Sequence, residues 1–496
     1  MSLRRMPGLT AMPERLARED RRSEPGSGSE QSRRILTPVE YYEVEAIRAR
    51  MLEGCGAGPQ VQPSAAYVAG LGDSSESLLT WEHTERVPPD QIATFWARGM
   101  DISRSLWDKS HLIFVLELDY LNVDQPAEPF LRPAEVFFKL EPAYRALLRV
   151  CRAFNLPVRA MVTGRGYQFA GQIPLDAPVV DRLAALAATP SWFAGVEARR
   201  SADHSSSMSE RQASASAGLG LLIEYTAHRI LAAASPRSQI PVVFNGTVVG
   251  AGRVGRECVS IDFSHVGDPL DVRLMRLVFS TYQSHRFRPD IFGPVAAGLP
   301  PLAAIPRTHS LMRLLTDGHG LEAAVRAAAD ADVRLPSIVD GVDDLLSIYE
   351  RSELAAFHRD FYRTRQEGQG TAPGSADLPP CVTRLLDQPN DLLLKPEHLQ
   401  HLVRALRARS WRPAAIAAIV QSAYEADHGW GDRWSWMDPQ TRAEFEVRVF
   451  AGMIATRVDT LVDFNCVSAQ EKGLCPRTGC PFDLRRDRDR LLRASV

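Results

Sequence analysis

The run HLIFVLELDYLNV at 111–123 is apolar and β-prone along almost its whole length. Only Glu117 and Asp119 interrupt its core, the pattern of a buried strand with two polar positions on one side. After a Pro-containing loop, residues 134–154 place Leu140, Leu147, Leu148 and Cys151 at helical spacing, and Asn155-Leu156-Pro157 stops that helix. VRAMVTG predicts a second short strand, ending at the turn Gly164-Arg165-Gly166. Strand, helix and strand in this order predict a βαβ-like unit inside an α/β domain. Further on, GLGLLIEYTAHRILAAA reads as a helix, PVVFNGTVVG as a hairpin turning at Asn245-Gly246, and ECVSIDF as another strand. From 309 to 364 the pattern is mostly helical. Beyond a Gly/Pro-rich stretch at 365–377, PEHLQHLVRALRARS, RPAAIAAIVQSAYEADHG and DPQTRAEFEVRVFAGMIA are all helical.

The expected organisation is α+β: a disordered tail over 1–34, an α/β body over 35–308, a helical extension over 309–364, a linker over 365–377 and an all-helical C-terminal domain over 378–496. Structure should begin near Thr37-Pro38, where Pro can open a helix. The low-complexity segment 198–216, ARRSADHSSSMSERQASAS, predicts a mobile loop.

Composition narrows the classes. With 496 residues, 45% hydrophobic and 24% charged, the chain is ordinary globular material and too long for one small core. Lys+Arg 58 against Asp+Glu 60 excludes a strongly basic nucleic-acid coat but leaves room for a local basic groove. No apolar stretch approaches the roughly 18 residues of a membrane helix, and the N-terminal segment has no apolar h-region. The expectation is a cytoplasmic protein with no membrane partner.

Residues i and i+2 of a strand share a face, so Glu117 and Asp119 stand side by side. Two adjacent carboxylates on an apolar strand are costly unless positive charge lies between them. A divalent cation, Mg2+ or Mn2+, supplies it, and Asp262 on VSIDF offers a third ligand from a separate strand. Solvated acids at a strand end are the bland alternative. The turn after the second strand has two glycines whose backbone can approach an anion, with Arg165 as a phosphate contact; a plain glycine turn is its alternative. Arg273, Arg276 and His285 follow the Asp262 strand, either at the site or on a solvated helix face.

Seven cysteines are present, and Cys466, Cys475 and Cys480 crowd together, with Cys381 upstream after Leu378-Pro379-Pro380. Four thiolates bind Zn2+ or a [4Fe–4S] cluster, and the wide, unpaired spacing leans toward the cluster. Cys55, Cys151 and Cys258 show no partner pattern and read as buried thiols.

Together these pieces resemble the archaeo-eukaryotic primase superfamily. The series LPPCVTRLL, EHLQHLVRAL, DPQTRAEFEV and FNCVSAQEKGLCPRTGCPF, about residues 376–483, resembles the iron–sulfur domain of the primase large subunit. The resemblance implies Cys381, Cys466, Cys475 and Cys480 as cluster ligands, with His401, Arg404 and Arg442 near the primer or template. The body, roughly 75–300, resembles the catalytic subunit more loosely, with RRM-like βαβ elements. Glu117 and Asp119 match its first motif, and Thr163, Gly164, Gly166 and Gln168 its Ser-Gly-x-Gly-x-His turn. Asp262 matches its third acid, followed by a nucleotide-binding segment around Arg276, Ser280 and His285. Glu117 stands where an Asp is usual, Gln168 where a His is usual, and Tyr282 and Ser284 where a His and a Lys are often found. The implied activity is that of a DNA primase or primase-polymerase using nucleoside triphosphates, a single-stranded DNA template and a primer, with a helicase or another replication or defence factor as partner. The alternative is a catalytically degenerate relative that binds single-stranded DNA or primer junctions through the iron–sulfur module and the run Arg404, Arg407, Arg409, Trp411 and Arg412.

Overall fold

The strand predicted from 111–123 is the spine of a six-stranded sheet. The computed structural model describes residues 36–58, 60–72, 84–199, 208–246, 256–308, 310–366, 378–389, 393, 395–426, 437–475 and 480–494. Among them the strands are β1 Val68–Leu71, β2 Glu85–Val87, β3 Asp101–Ser105, β4 His111–Asn122, β5 Arg159–Val162, β6 Gly166–Pro174, β7 Val242–Phe244, β8 Glu257–Asp262, β9 Leu274–Arg276, β10 Thr281–Tyr282, β11 Leu302–Ala303 and β12 Ile305–Pro306. The larger sheet has the order β12-β5-β6-β4-β8-β7, antiparallel throughout except for the parallel β7–β8 pair. A second sheet runs β2-β1-β3-β9, and β10 pairs with β11. The class is mixed α+β.

Alternation along β4 assigns its two faces. Leu116, Leu118 and Tyr120 are buried in the main core with Leu140 and Leu147 of the Pro133–Ala153 helix and Leu222 of the Glu210–Ala234 helix. The opposite face begins apolar: Ile113 and Val115 pack with Ala170 of β6 and with Leu106 and Met275 beside the second sheet. Glu117 and Asp119 come next along that face. The helix expected over 134–154 spans Pro133–Ala153, and Asn155 follows it at φ 51, the left-handed conformation Asn tolerates.

Two local expectations change. Residues 210–216 belong to the Glu210–Ala234 helix, whose Ser209 cap accepts from the Gln212 amide, so the mobile loop does not extend there. Small residues that read as low complexity are buried there: Ala213, Ser214 and Ala215 all lie inside. Residues 200–207 lie outside the described residues. Of the hairpin around Asn245-Gly246, β7 is present and pairs with β8, whereas 247–255 lie outside the described residues.

The tail over 1–34 and most of the linker, 367–377, also lie outside the described residues. The C-terminal part is helical as expected, with helices Pro380–Asp387, Pro396–Arg407, Pro413–Glu425, Pro439–Ala455, Cys466–Glu471 and Leu484–Ala494. It shares one continuous hydrophobic core with the body rather than standing apart. Phe445 of the Pro439–Ala455 helix rests on Gly267, where a Cβ would come within 2.4 Å of its ring. Buried Glu224 of the body bonds Arg448 at 2.9 Å and His358 at 3.1 Å. No helix among the described residues is long and apolar enough to cross a membrane.

Gly166 carries the tightest requirement in the sheet. A Cβ there would lie 1.8 Å from the Leu118 carbonyl oxygen, which is backbone and cannot swing away. Gly166→Ala should therefore destabilise the protein by about 1–3 kcal/mol, the range for overpacking. Chemical denaturation checks this, and a cost near zero would show that β4 and β6 are not held at this distance.

Candidate metal-binding acid cluster and a four-cysteine centre

Strand register brings the acids together. In β4, Glu117 stands opposite Gln168 of β6 on one side and Asp262 of β8 on the other. Asp119 stands opposite Gly166 and Ser260. Directly opposed residues point to the same face, with Cβ atoms about 4.5–5.5 Å apart. Glu117, Asp119 and Asp262 thus converge on one patch, as the sequence predicted.

The surroundings are arranged around negative charge. Arg165, in the turn between β5 and β6, donates to Asp119 Oδ2 at 2.9 Å. The turn is fixed by the Thr163 amide donating to the Gly166 carbonyl and the Tyr120 amide donating to the Arg165 carbonyl. The Ser264 amide donates to Asp262 Oδ1 at 2.8 Å. Burial, and then repulsion from Asp119 and Asp262, push the Glu117 carboxyl up to about 8, against relief from Arg165 and Arg276. Burial also raises Asp119 despite Arg165. Three carboxyls with one full ion pair hold more negative charge than their site compensates, which is the electrostatic condition a cation relieves.

A pH signature follows. A cation must displace the proton held by Glu117, so Mn2+ affinity should rise with pH by up to roughly tenfold per unit until about pH 8 and then level off. In the metal-free protein the raised Glu117 value favours folding most below its ordinary pKa, and that contribution is lost as pH rises through about 8. Calorimetric Mn2+ titrations from pH 6 to 9 test this. Glu117→Gln should flatten the profile, and a flat profile in the unaltered protein would refute it.

Several residues expected to grip a nucleotide are committed elsewhere. Gln168 is buried: its Nε2 donates to the Arg276 carbonyl at 3.3 Å and its Oε1 accepts from the Arg276 amide at 3.2 Å. It staples β6 to β9 and so positions Arg276 rather than contacting phosphate. Arg276 pairs with Asp101 at 3.2 Å and lies 4.8 Å above the Tyr282 ring, close enough for its charge to lower Glu117. Ser280 is fully buried, its Oγ accepting from the Ile102 amide and donating to the Thr281 carbonyl. His285 is fully buried, stacked on Phe130 at 4.5 Å, and burial lowers its pKa. Both are core residues. Gly164 admits the Tyr282 ring, which would lie 2.4 Å from a Cβ, and Gly166 admits the β4 backbone. The glycines therefore answer to packing first, and Thr163 is buried beside them. The sequence offered no signal for Ser260 as the neighbour of Asp119, because neither motif nor spacing marks it.

The four expected sulfur ligands come from three segments. Cys381 is the second residue of the Pro380–Asp387 helix, Cys466 opens the Asn465-capped helix, Cys475 follows the left-handed Gly473, and Cys480 precedes Phe482. Burial, and then the charges of Cys475, Cys480 and Cys466, push the Cys381 thiol up to about 12. Among the described residues no three His, Cys, Asp or Glu groups are drawn into a metal cage. Four thiols with no carboxylate form a soft donor set, suited to zinc or an iron–sulfur cluster and unsuited to Mg2+. His401 Nε2 lies 3.4 Å from Cys381 Sγ.

The expected nucleic-acid contacts turn inward. His401 and Arg404 are 1% and 3% exposed. Arg404 holds Asp459 at 2.6 and 2.8 Å and Asp463 at 2.7 Å, and Lys472 holds Asp463 at 2.8 Å. This buried ion cluster braces the segment leading to Cys466. Arg442 bonds Glu446 at 2.7 Å and Asp268 of the body at 3.3 Å. Arg407 donates to the Trp411 carbonyl, Trp411 is buried, and Arg409 pairs with Asp487. His401, Arg404 and Arg442 thus each have internal partners.

Compared with protein-family models, curated proteins and solved structures, the chain matches none.

Proposed function

We propose that the chain is a primase-type nucleotidyltransferase that joins nucleotides on a single-stranded DNA template, with a [4Fe–4S] centre on Cys381, Cys466, Cys475 and Cys480. The observation that carries this is the register placing Glu117, Asp119 and Asp262 on one face of three adjacent strands. Divalent cations bound there supply Lewis-acid activation of a primer hydroxyl and charge neutralisation at the nucleoside triphosphate. Glu117, Asp119 and Asp262 would hold Mg2+ or Mn2+. Arg165 and Arg276 flank the acids and favour the phosphate charge that enters with the substrate. Arg165 keeps Asp119 oriented, and Gln168 keeps Arg276 in place. Such chemistry rests mostly on positioning and electrostatics, so a small set of residues suffices.

A second reading is a DNA-binding protein without polymerase activity. It is favoured by one observation: Gln168, Ser280 and His285 are all engaged internally, which leaves few side chains for the triphosphate. A template-dependent incorporation assay on anaerobically purified protein separates the two. Labelled product with Mn2+ supports the first reading; template binding with no product under any divalent ion leaves the second.

A further inference from the structure

Arg404 and Arg409 are held by internal acids and Arg407 by the Trp411 carbonyl. Exposed cationic charge lies instead on the Leu484–Ala494 helix, LRRDRDRLLRA. Its inward side is anchored. Leu484 and Leu491 are 2% and 4% exposed, and buried Asp487 is held by Arg409 at 2.9 Å. The outward side carries Arg485, Arg486, Arg490 and Arg493, all exposed.

This charge is not cancelled locally. Over 483–493 there are five arginines against three aspartates, a surplus of two. Asp487 serves both Arg409 and, at 3.4 Å, Arg490, which leaves the helix with less compensation still. Asp489 is taken by Arg488 at 3.6 Å. Arg485, Arg486 and Arg493 have no acidic partner among the described residues. Residues 486, 490 and 493 follow the i, i+4, i+7 spacing of one helix face, and like charges so placed repel one another. An anionic partner relieves that repulsion.

The geometry selects a polyanion. At 1.5 Å per residue, the three arginines climb about 10 Å. A nucleic-acid strand carries one phosphate per roughly 3.4 Å of axis, so about three phosphates fall within that length. The guanidinium fork suits each of them. A membrane surface fits less well, because an interfacial helix puts its apolar face into lipid, and here Leu484 and Leu491 are buried in the protein core.

We infer that the outward face of the Leu484–Ala494 helix grips the phosphate backbone of a nucleic-acid strand, with Arg486, Arg490 and Arg493 as its contacts. That this strand is single-stranded DNA rests on the nucleotidyltransferase reading above; the cationic face itself does not. The grip is electrostatic and separate from the acids of β4 and β8, so it needs no divalent cation.

Fluorescence anisotropy with a labelled single-stranded DNA oligonucleotide, in EDTA and from about 50 to 200 mM salt, tests the inference. The double variant Arg486→Gln/Arg493→Gln keeps helix-forming residues and leaves the buried side untouched. It should lower the steepness of the log-affinity against log-salt plot by roughly 1.4, or 0.7 per lost phosphate contact, and weaken binding near 100 mM salt roughly 20-fold. Arg145→Gln/Arg313→Gln removes as much charge from exposed positions elsewhere and should change neither. Thermal unfolding shows that both variants are folded, and if the first is not, Arg493→Gln alone should lower the steepness by roughly 0.7. Equal loss in both double variants, no change in the first, or binding to anionic phospholipid vesicles with none to the oligonucleotide would each overturn the inference. Unchanged binding in the first variant beside template-dependent incorporation by the unaltered protein would sink the grip and spare the enzyme. Loss of binding in that variant, with no incorporation by the unaltered protein, would do the reverse.

Discussion

Asp119→Asn should cut template-dependent nucleotide incorporation by roughly a thousandfold while leaving the protein folded and slightly more stable in its metal-free form. Removing one preorganised electrostatic group from a reaction centre costs about 10²–10³ in rate, and this site offers few others to compensate. Asparagine keeps the shape but removes one of three charges that repel each other across β4 and β8. Relief of that repulsion should raise the melting temperature without metal, most clearly above pH 8, where Glu117 is otherwise forced to ionise. A site that stores unfavourable charge for function gains stability when the charge goes. The pairing of lost activity with unchanged or improved folding is the diagnostic result. Retained activity would refute the role given to Asp119, and lost activity with a collapsed melting temperature would trace the effect to packing. Arg165 loses its ionic partner but remains partly exposed, so its own desolvation cost is small.

Cys475→Ser should empty the four-sulfur centre and loosen the C-terminal segment. Metal binding to such a site carries folding free energy on the order of 10 kcal/mol, shared with the elements it ties together. Here those elements are the start of the Pro380–Asp387 helix and the stretch from Cys466 to Cys480. Arg384 also ties them, donating to the Gly473 carbonyl at 2.7 Å. Elemental analysis should find about four irons per chain in the unaltered protein and almost none in the variant. Hydrogen exchange should quicken over 466–494 while the sheet around β4 stays protected. The buried Arg404–Asp459–Asp463–Lys472 cluster should keep the preceding segment ordered, which confines the change. A colourless protein with one zinc would replace the cluster by a zinc centre. A protein purified anaerobically with neither metal would remove the centre altogether.

The two expectations differ in how far the sequence reached. The acids were legible because a strand has period two: Glu117 and Asp119 share a face in any register. Asp262 was legible only as a candidate, since its place opposite Glu117 depends on β8 pairing with β4. The roles of Gln168, Ser280 and His285 could not be read from spacing. A glutamine in a phosphate-loop pattern and a glutamine that staples two sheets look the same until the partner, here the Arg276 backbone, is known. Arg404 could not be read for the same reason. Its place in a basic run suggested a nucleic-acid surface, whereas Asp459 and Asp463, 55 and 59 residues away, claim its guanidinium. The small-residue segment 210–216 read as a loop because low complexity hides close packing, which is visible only once Ala213 and Ala215 are buried in the fold.

By itself the chain determined the α+β class, the strand at 111–122, the long helix after it, the helical C-terminal part and the side-by-side acids. These follow from periodicity, breakers and residue chemistry, which act over a few neighbours. Tertiary structure alone decided which acids meet, which arginines are held in ion pairs, and that the C-terminal helices share the body's core. Those outcomes depend on partners brought from 46 to 224 residues away, where the cost of leaving a buried charge unpaired, and not any local preference, selects the contact.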